Sequence, residues 1–307
     1  MKRAVFTLSL DFELAWGTLD RGRDAFYRPL CRAEREQAIT RLLDLLAKHN
    51  IAATWAIVGA LFEDGADDLL HAPDLIDEIQ RCPVAQEIGS HTFTHPVMTM
   101  VTREQAHRQF SLAVESAAKA GVQPRTIIFP RNQIAHLDLA RDYGFTCYRT
   151  PEPRWYCGAG ERDAVSRLGH LADVLAATTP RTVEPTIDEF GMMAIPGSML
   201  YTPSFGMRRH IPASLRVTRA RRGLMEAIRN RKVFHLWFHP TDIVVNMNEM
   251  LAGLDEIFAL VAKYREAGEL EVQPMVNLRS ALLKEMEASS VSTCVGAGAL
   301  ASAGVLS

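Results

Sequence analysis

No run of this 307-residue sequence is long and apolar enough to cross a membrane as a helix. A disulfide framework is absent too. The five cysteines (Cys31, Cys82, Cys147, Cys157, Cys294) are odd in number and widely spaced, and none sits in a C-x-x-C pair. They read as free cytosolic thiols, not as a disulfide frame or a zinc knuckle. An excess of one charge is missing: the net charge of −2 sets up no field for polyanions, so no nucleic-acid partner is expected. Glycine and proline are not in excess, and no internal repeat is visible. After Met1-Lys2-Arg3 only seven uncharged residues precede Asp11, too few for a signal peptide. A cytoplasmic protein is the expectation.

What is present is an ordinary globular composition, 48% hydrophobic and 23% charged. Short apolar runs alternate with amphipathic helices. Strands are expected at Ala4–Leu10, Ala52–Val58, Gln86–Gly89, Thr126–Phe129, Thr146–Tyr148, Met192–Ile195, Val233–Phe238 and Leu270–Gln273. Helices are expected at Glu34–Asn50, Pro73–Gln80, Arg103–Ala120, Ala135–Tyr143, Asp163–Ala177, Ala213–Arg231, Asn248–Ala267 and Val276–Ala288. Alternation of this kind implies an α/β fold with crossover connections, and about seven parallel strands is near the number that closes a barrel. A catalytic domain over residues 1–288 and a disordered tail over 289–307 are expected, the tail being small, polar and glycine-rich.

Chemistry-bearing residues cluster at strand ends, where parallel α/β folds gather their ligands. On the first strand Leu8, Leu10 and Phe12 point one way, and Ser9, Asp11 and Glu13 the other. Two carboxylates on one face are costly to bury uncompensated. In Ser90-His91-Thr92-Phe93-Thr94-His95-Pro96 the histidines are four apart. On one helical turn their rings would share a face, about 5–6 Å apart at Cβ, a bite suited to one metal ion. His239 ends the aromatic strand His235-Leu236-Trp237-Phe238, broken by Pro240. Arg131, after the strand ending at Phe129, could hold a carboxylate with its fork.

These motifs resemble, in chain order over roughly residues 4–283, the polysaccharide deacetylase family (NodB-homology domain, carbohydrate esterase family four). His91-Thr92-Phe93-Thr94-His95 matches its His-Ser/Thr-x-x-His motif, and Leu236-Trp237-Phe238-His239 its Leu-x-x-His motif. The resemblance implies a distorted (β/α) barrel. It implies Glu13, His91 and His95 holding a divalent metal, zinc, with Asp11 as base, His239 as acid and Arg131 beside the base. Trp16, Asn132 and Trp237 are the candidate substrate contacts. The pattern also departs from the family. Phe12 separates Asp11 from Glu13 where many members have adjacent aspartates, and Asn132-Gln133 follow Arg131. The tryptophan-bearing motif has only Trp155 as a near match.

The implied reaction is removal of an N-acetyl or N-formyl group from an amino sugar, free, nucleotide-linked or lipid-linked. The basic stretch from Arg208 to Lys232 could meet a diphosphate or an anionic membrane at its inner face, or be a solvated helix face. Two rivals stand beside this reading. One is a metal-independent cyclic amide or ureide hydrolase of the allantoinase-like branch. The other is a non-catalytic carbohydrate-binding relative.

Overall fold

The computed structural model describes residues 1–19, 22–153, 169 and 172–283. Among them one sheet has ten strands: β1 (Ala4–Phe12), β2 (Thr54–Ile57), β3 (Glu87–Ser90), β4 (Thr126–Ile127), β5 (Cys147–Thr150), β6 (Thr186–Ile187), β7 (Met193–Pro196), β8 (Met199–Leu200), β9 (Val233–Phe238) and β10 (Leu270–Val272). Their order is β6-β7-β5-β4-β3-β2-β1-β9-β8, with β10 added on β1. Every pairing is parallel except β6 with β7.

β1 is the axis of the fold. All nine of its residues are buried. Phe6, Leu8, Leu10 and Phe12 join Leu42, Leu46, Leu254, Ile257 and Phe258 in the main core, under the helices. Ser9 and Asp11 face the other way, where Arg149 of β5 donates to both. That contact reports the curvature. Four strand spacings separate β1 from β5, roughly 19 Å if the sheet were flat, too far for one arginine. The sheet must curl. A short step in the chain links its two sides. β7 ends at Pro196 in register with β5, and β8 begins at Met199 beside β9. The expected α/β barrel is observed. Ten strands stand where eight were expected because β6 and β8 have two residues each, too few to show a period.

The helices cover the outside: α1 (Asp24–Ala33), α2 (Ile39–Lys48), α3 (Pro73–Gln80), α4 (Arg103–Lys119), α5 (Leu137–Asp142), α6 (Ala213–Asn230) and α7 (Met247–Glu266). A further helix runs over 275–283. α4 begins with a capping box between Thr102 and Gln105, and Gly121 follows it in the left-handed region. α1 has no counterpart in the sequence reading. It contains Pro29 and reads as broken. Tertiary ion pairs anchor it instead, Arg28 with Asp67 and Arg32 with Asp68. Between α1 and α2 lies a π-helical turn, Glu34–Ala38, where a regular helix start was expected. Trp155, most of the helix expected over Asp163–Ala177 and the tail from 289 lie outside the described residues.

Candidate active site

The carboxyl ends of β1, β3, β5 and β9 meet at one rim. Asp11 is the last but one residue of β1, and Glu13 follows the strand directly. Both carboxylates are buried. His91 and His95 follow β3, and their ring centroids lie 4.9 Å apart. They do not share a helical turn, contrary to the spacing argument. Thr92 and His95 both take left-handed backbone, φ 64° and 59°, so an irregular loop aims the rings. Leu14, Arg131 and Asn132 are left-handed too. Five non-glycine residues in this sparsely populated region crowd one rim, a concentration typical of functional sites.

Glu13 Oε1 lies 2.9 Å from His91 Nε2 and 3.0 Å from His95 Nε2. His91 Nδ1 donates to the Ile128 carbonyl at 2.6 Å, which fixes its tautomer. In that tautomer Nε2 is left to face the carboxylate oxygen with a lone pair, not a proton. His239 Nε2 approaches the same oxygen at 3.5 Å. One oxygen approached by three imidazole nitrogens is crowded for hydrogen bonding, and the Glu13 oxygen with the His91 and His95 nitrogens is a good donor set for a cation. The ligand atoms of Glu13, His91 and His95 all lie within 4.8 Å of one another. Two imidazoles and one carboxylate suit zinc, and three protein ligands leave a position open. These residues therefore fit a divalent metal. Burial works against the Glu13 charge, but His95 and His239 more than offset it and hold the carboxyl well below its usual range.

Asp11 is built differently. Arg149 Nη1 donates to Oδ1 at 2.7 Å and Nη2 to Oδ2 at 2.6 Å, a bidentate pair. Burial raises the Asp11 pKa, and Arg149, His239 and His91 bring it below the ordinary value. Arg149 is itself locked. Its Nε donates to Asn132 Oδ1 at 3.1 Å, and its plane rests 4.1 Å from the Trp237 ring centroid. The guanidinium on Asp11 is thus Arg149's, whereas Arg131 sits half-buried in the turn after β4. Asn132 meets Arg149. Trp237 carries that guanidinium on its ring and donates from Nε1 to Glu152 at 2.7 Å. Trp16 donates to the Leu70 carbonyl at 2.9 Å and packs against the core.

His239 Nδ1 donates to Asp242 Oδ2 at 3.0 Å, leaving Nε2 to face Asp11 Oδ2 at 3.7 Å. Burial lowers the His239 pKa, but Glu13 and Asp242 outweigh it and hold the ring well above its usual value. Sequence reasoning missed Arg149, Asp242 and Glu34. Asp242 had a signal, three residues after His239 in the turn that Pro240 opens, the spacing of a capping box. Arg149 had only its place at the end of a short strand. Glu34, on the π-helical turn, is fully buried and accepts from the Thr241 hydroxyl. Burial, with Glu13's charge adding to it, pushes its carboxyl up to about 8. Two open grooves of about 490 and 320 Å³ run between α2 and α7, past Arg41 and Asn248. Neither includes a rim residue, and the chemistry lies at the rim.

Residues 14–148 match the family model of polysaccharide deacetylases, as the motifs implied. No curated protein matches the chain by sequence. A candidate polysaccharide deacetylase from Mycobacterium smegmatis superposes with a TM-score of 0.69 at 14% identity, over 92% of this chain and 91% of that one. A probable polysaccharide deacetylase from Pseudomonas aeruginosa PAO1 gives 0.65 at 11% identity, over 90% and 89%. The Puue allantoinase gives 0.64 at 11% identity, also over 90% and 89%. At such identities these likenesses establish the fold. The family match spans less than half of the chain, and the deacetylase reading that it and the fold support is a proposal. The matched stretch holds His91 and His95. It stops short of Asp11, Glu13, Arg149 and His239, which the barrel brings to the same rim.

Proposed function

We propose that this chain is a metal-dependent hydrolase that removes an N-acetyl or N-formyl group from an amino sugar. The observation that carries the reading is the convergence of His91 Nε2 and His95 Nε2 on Glu13 Oε1, beside Asp11 and His239. Glu13, His91 and His95 would hold the ion, zinc by donor chemistry. Bound there, the ion would polarise the amide carbonyl and acidify water.

The chain's own groups supply the proton transfers. Asp11 keeps its charge through Arg149 and takes a proton from the attacking water. His239, its Nδ1 held by Asp242, presents Nε2 to give a proton to the departing amine nitrogen. The products are the free amino sugar and acetate or formate. Three thiols, Cys31, Cys82 and Cys147, are unpaired. That supports a reducing compartment and an intracellular substrate such as a nucleotide- or lipid-linked precursor.

The basic stretch lends little to a lipid or diphosphate contact. Arg216 is buried against the carbonyls of Thr202, Pro203 and Ile211, and Arg222 donates to the Ala177 carbonyl. Arg221 pairs with Glu256, Arg229 with Glu226 and Lys232 with Glu184. Among the described residues no helix is long and apolar enough to cross a membrane. Likeness to an allantoinase extends to the fold alone. Metal analysis of the purified protein, with acyl release from a panel of N-acetyl and N-formyl amino sugars, tests the reading. Stoichiometric metal and chelator-sensitive acetate or formate release are expected. Full activity without metal would overturn it and favour the ureide-hydrolase reading.

A further inference from the structure

β9 presents His235, Trp237 and His239 on the face it shares with Ser9 and Asp11 of β1. The mechanism uses Asp11 and His239, and Trp237 carries Arg149. Ser9 and His235 are left, both fully buried. His235 Nδ1 lies 3.0 Å from the Pro196 carbonyl, which can only accept, so Nδ1 carries the proton. In the neutral ring Nε2 is then an acceptor, and the Ser9 hydroxyl, 2.8 Å away, must donate to it. With its proton so committed, Ser9 Oγ turns lone pairs outward, and Arg149 Nη1 donates to it at 3.1 Å. The same Nη1 donates to Asp11 Oδ1. Both protons of that nitrogen are thereby directed.

We propose that Ser9 and His235 form a buried positioning pair that orients the Arg149 guanidinium and, through it, the Asp11 carboxylate. The proposal rests on the reading of Asp11 as the base. A protonated His235 would reverse the Ser9 hydroxyl and set a second cation against Arg149. Burial, with Arg149's charge adding to it, prevents this by pushing the ring down to about 3. A histidine serving only to fill the core would have no say in where Arg149 lies. This one reaches Arg149 through a single hydroxyl, and every proton on the path has one allowed place.

The test compares Ser9→Ala, His235→Leu and His235→Gln, the last retaining one donor and one acceptor. Two measurements are made. The first is the exchange protection of the Arg149 Nε–H signal by NMR, which needs no substrate. The second is kcat and KM for acyl release, with metal content determined on the same samples. Ser9→Ala and His235→Leu are expected to expose the Arg149 signal. They should lower kcat ~10–100-fold, with KM and metal content unchanged. His235→Gln should restore both. An Arg149 signal and kcat as in wild type in Ser9→Ala would overturn the pair, as would a His235→Gln protein no better than His235→Leu. If wild type releases no acyl group, the deacylase reading falls, and the Arg149 signal still decides whether the pair positions that residue.

Discussion

On one side of the rim Asp11 has an arginine for its two oxygens, and that arginine has Asn132, Ser9 and Trp237 for itself. On the other side Glu13 has three imidazole nitrogens facing a single oxygen. The first half sits on strands β1, β5 and β9 and meets its polar needs from within the protein. The second hangs largely on loops with left-handed residues and satisfies itself well only around a cation. A buried polar network that is complete is rigid. One that is incomplete in this way is a place prepared for something else. The halves share one rim, and the Asp11–Arg149 pair is held by protein groups alone.

The sharpest way to break this contrast is His91→Ala. It should abolish stoichiometric metal, by elemental analysis, and with it acyl release, while the Asp11–Arg149 pair survives. Asp11→Asn reaches the other half. It should leave metal bound and lower kcat ~10²–10⁴-fold, the range for a lost general base; turnover near wild type would remove Asp11 from that role. Arg149→Ala leaves a buried carboxylate alone and should cost about 3–5 kcal/mol of stability, read from urea unfolding. Arg149→Lys should recover only part, since an ammonium cannot make the bidentate pair.

The smallest effect concerns Glu34, behind the rim. Its carboxyl is pushed up to about 8 in the folded chain, against 4.5 for an ordinary glutamate. Between those values the folded state holds the proton and the unfolded state has released it, so stability falls as pH rises. Glu34→Gln should flatten this decline, with the largest gain near pH 8. Urea midpoints across the window would check it, and an unchanged slope would place the Glu34 titration elsewhere.

Much of this was legible in the residues. β9 was read at its observed limits, Val233–Phe238, and α3 likewise at Pro73–Gln80, because an aromatic run stopped by proline and a proline-started amphipathic turn are local signals. The polar face of β1 followed from alternation. Other parts had no local signal. The bend that aims His91 and His95 depends on left-handed residues that spacing cannot announce. Arg149 lies 138 residues from Asp11 in sequence, and nothing at Cys147-Tyr148-Arg149-Thr150 marks it as the partner. Arg131 occupied a similar strand end and looked equally able.

Sequence by itself determined the strand–helix alternation, the carboxylate face of β1 and the histidines that follow β3 and β9. Those features depend on residue type and periodicity over a few neighbours. Only the tertiary structure decided which arginine holds Asp11, which aspartate holds His239, and that Ser9 and His235 stand behind them. Those choices follow from sheet curvature. Closing the barrel brings β5 across to β1, and no short stretch of chain encodes that distance.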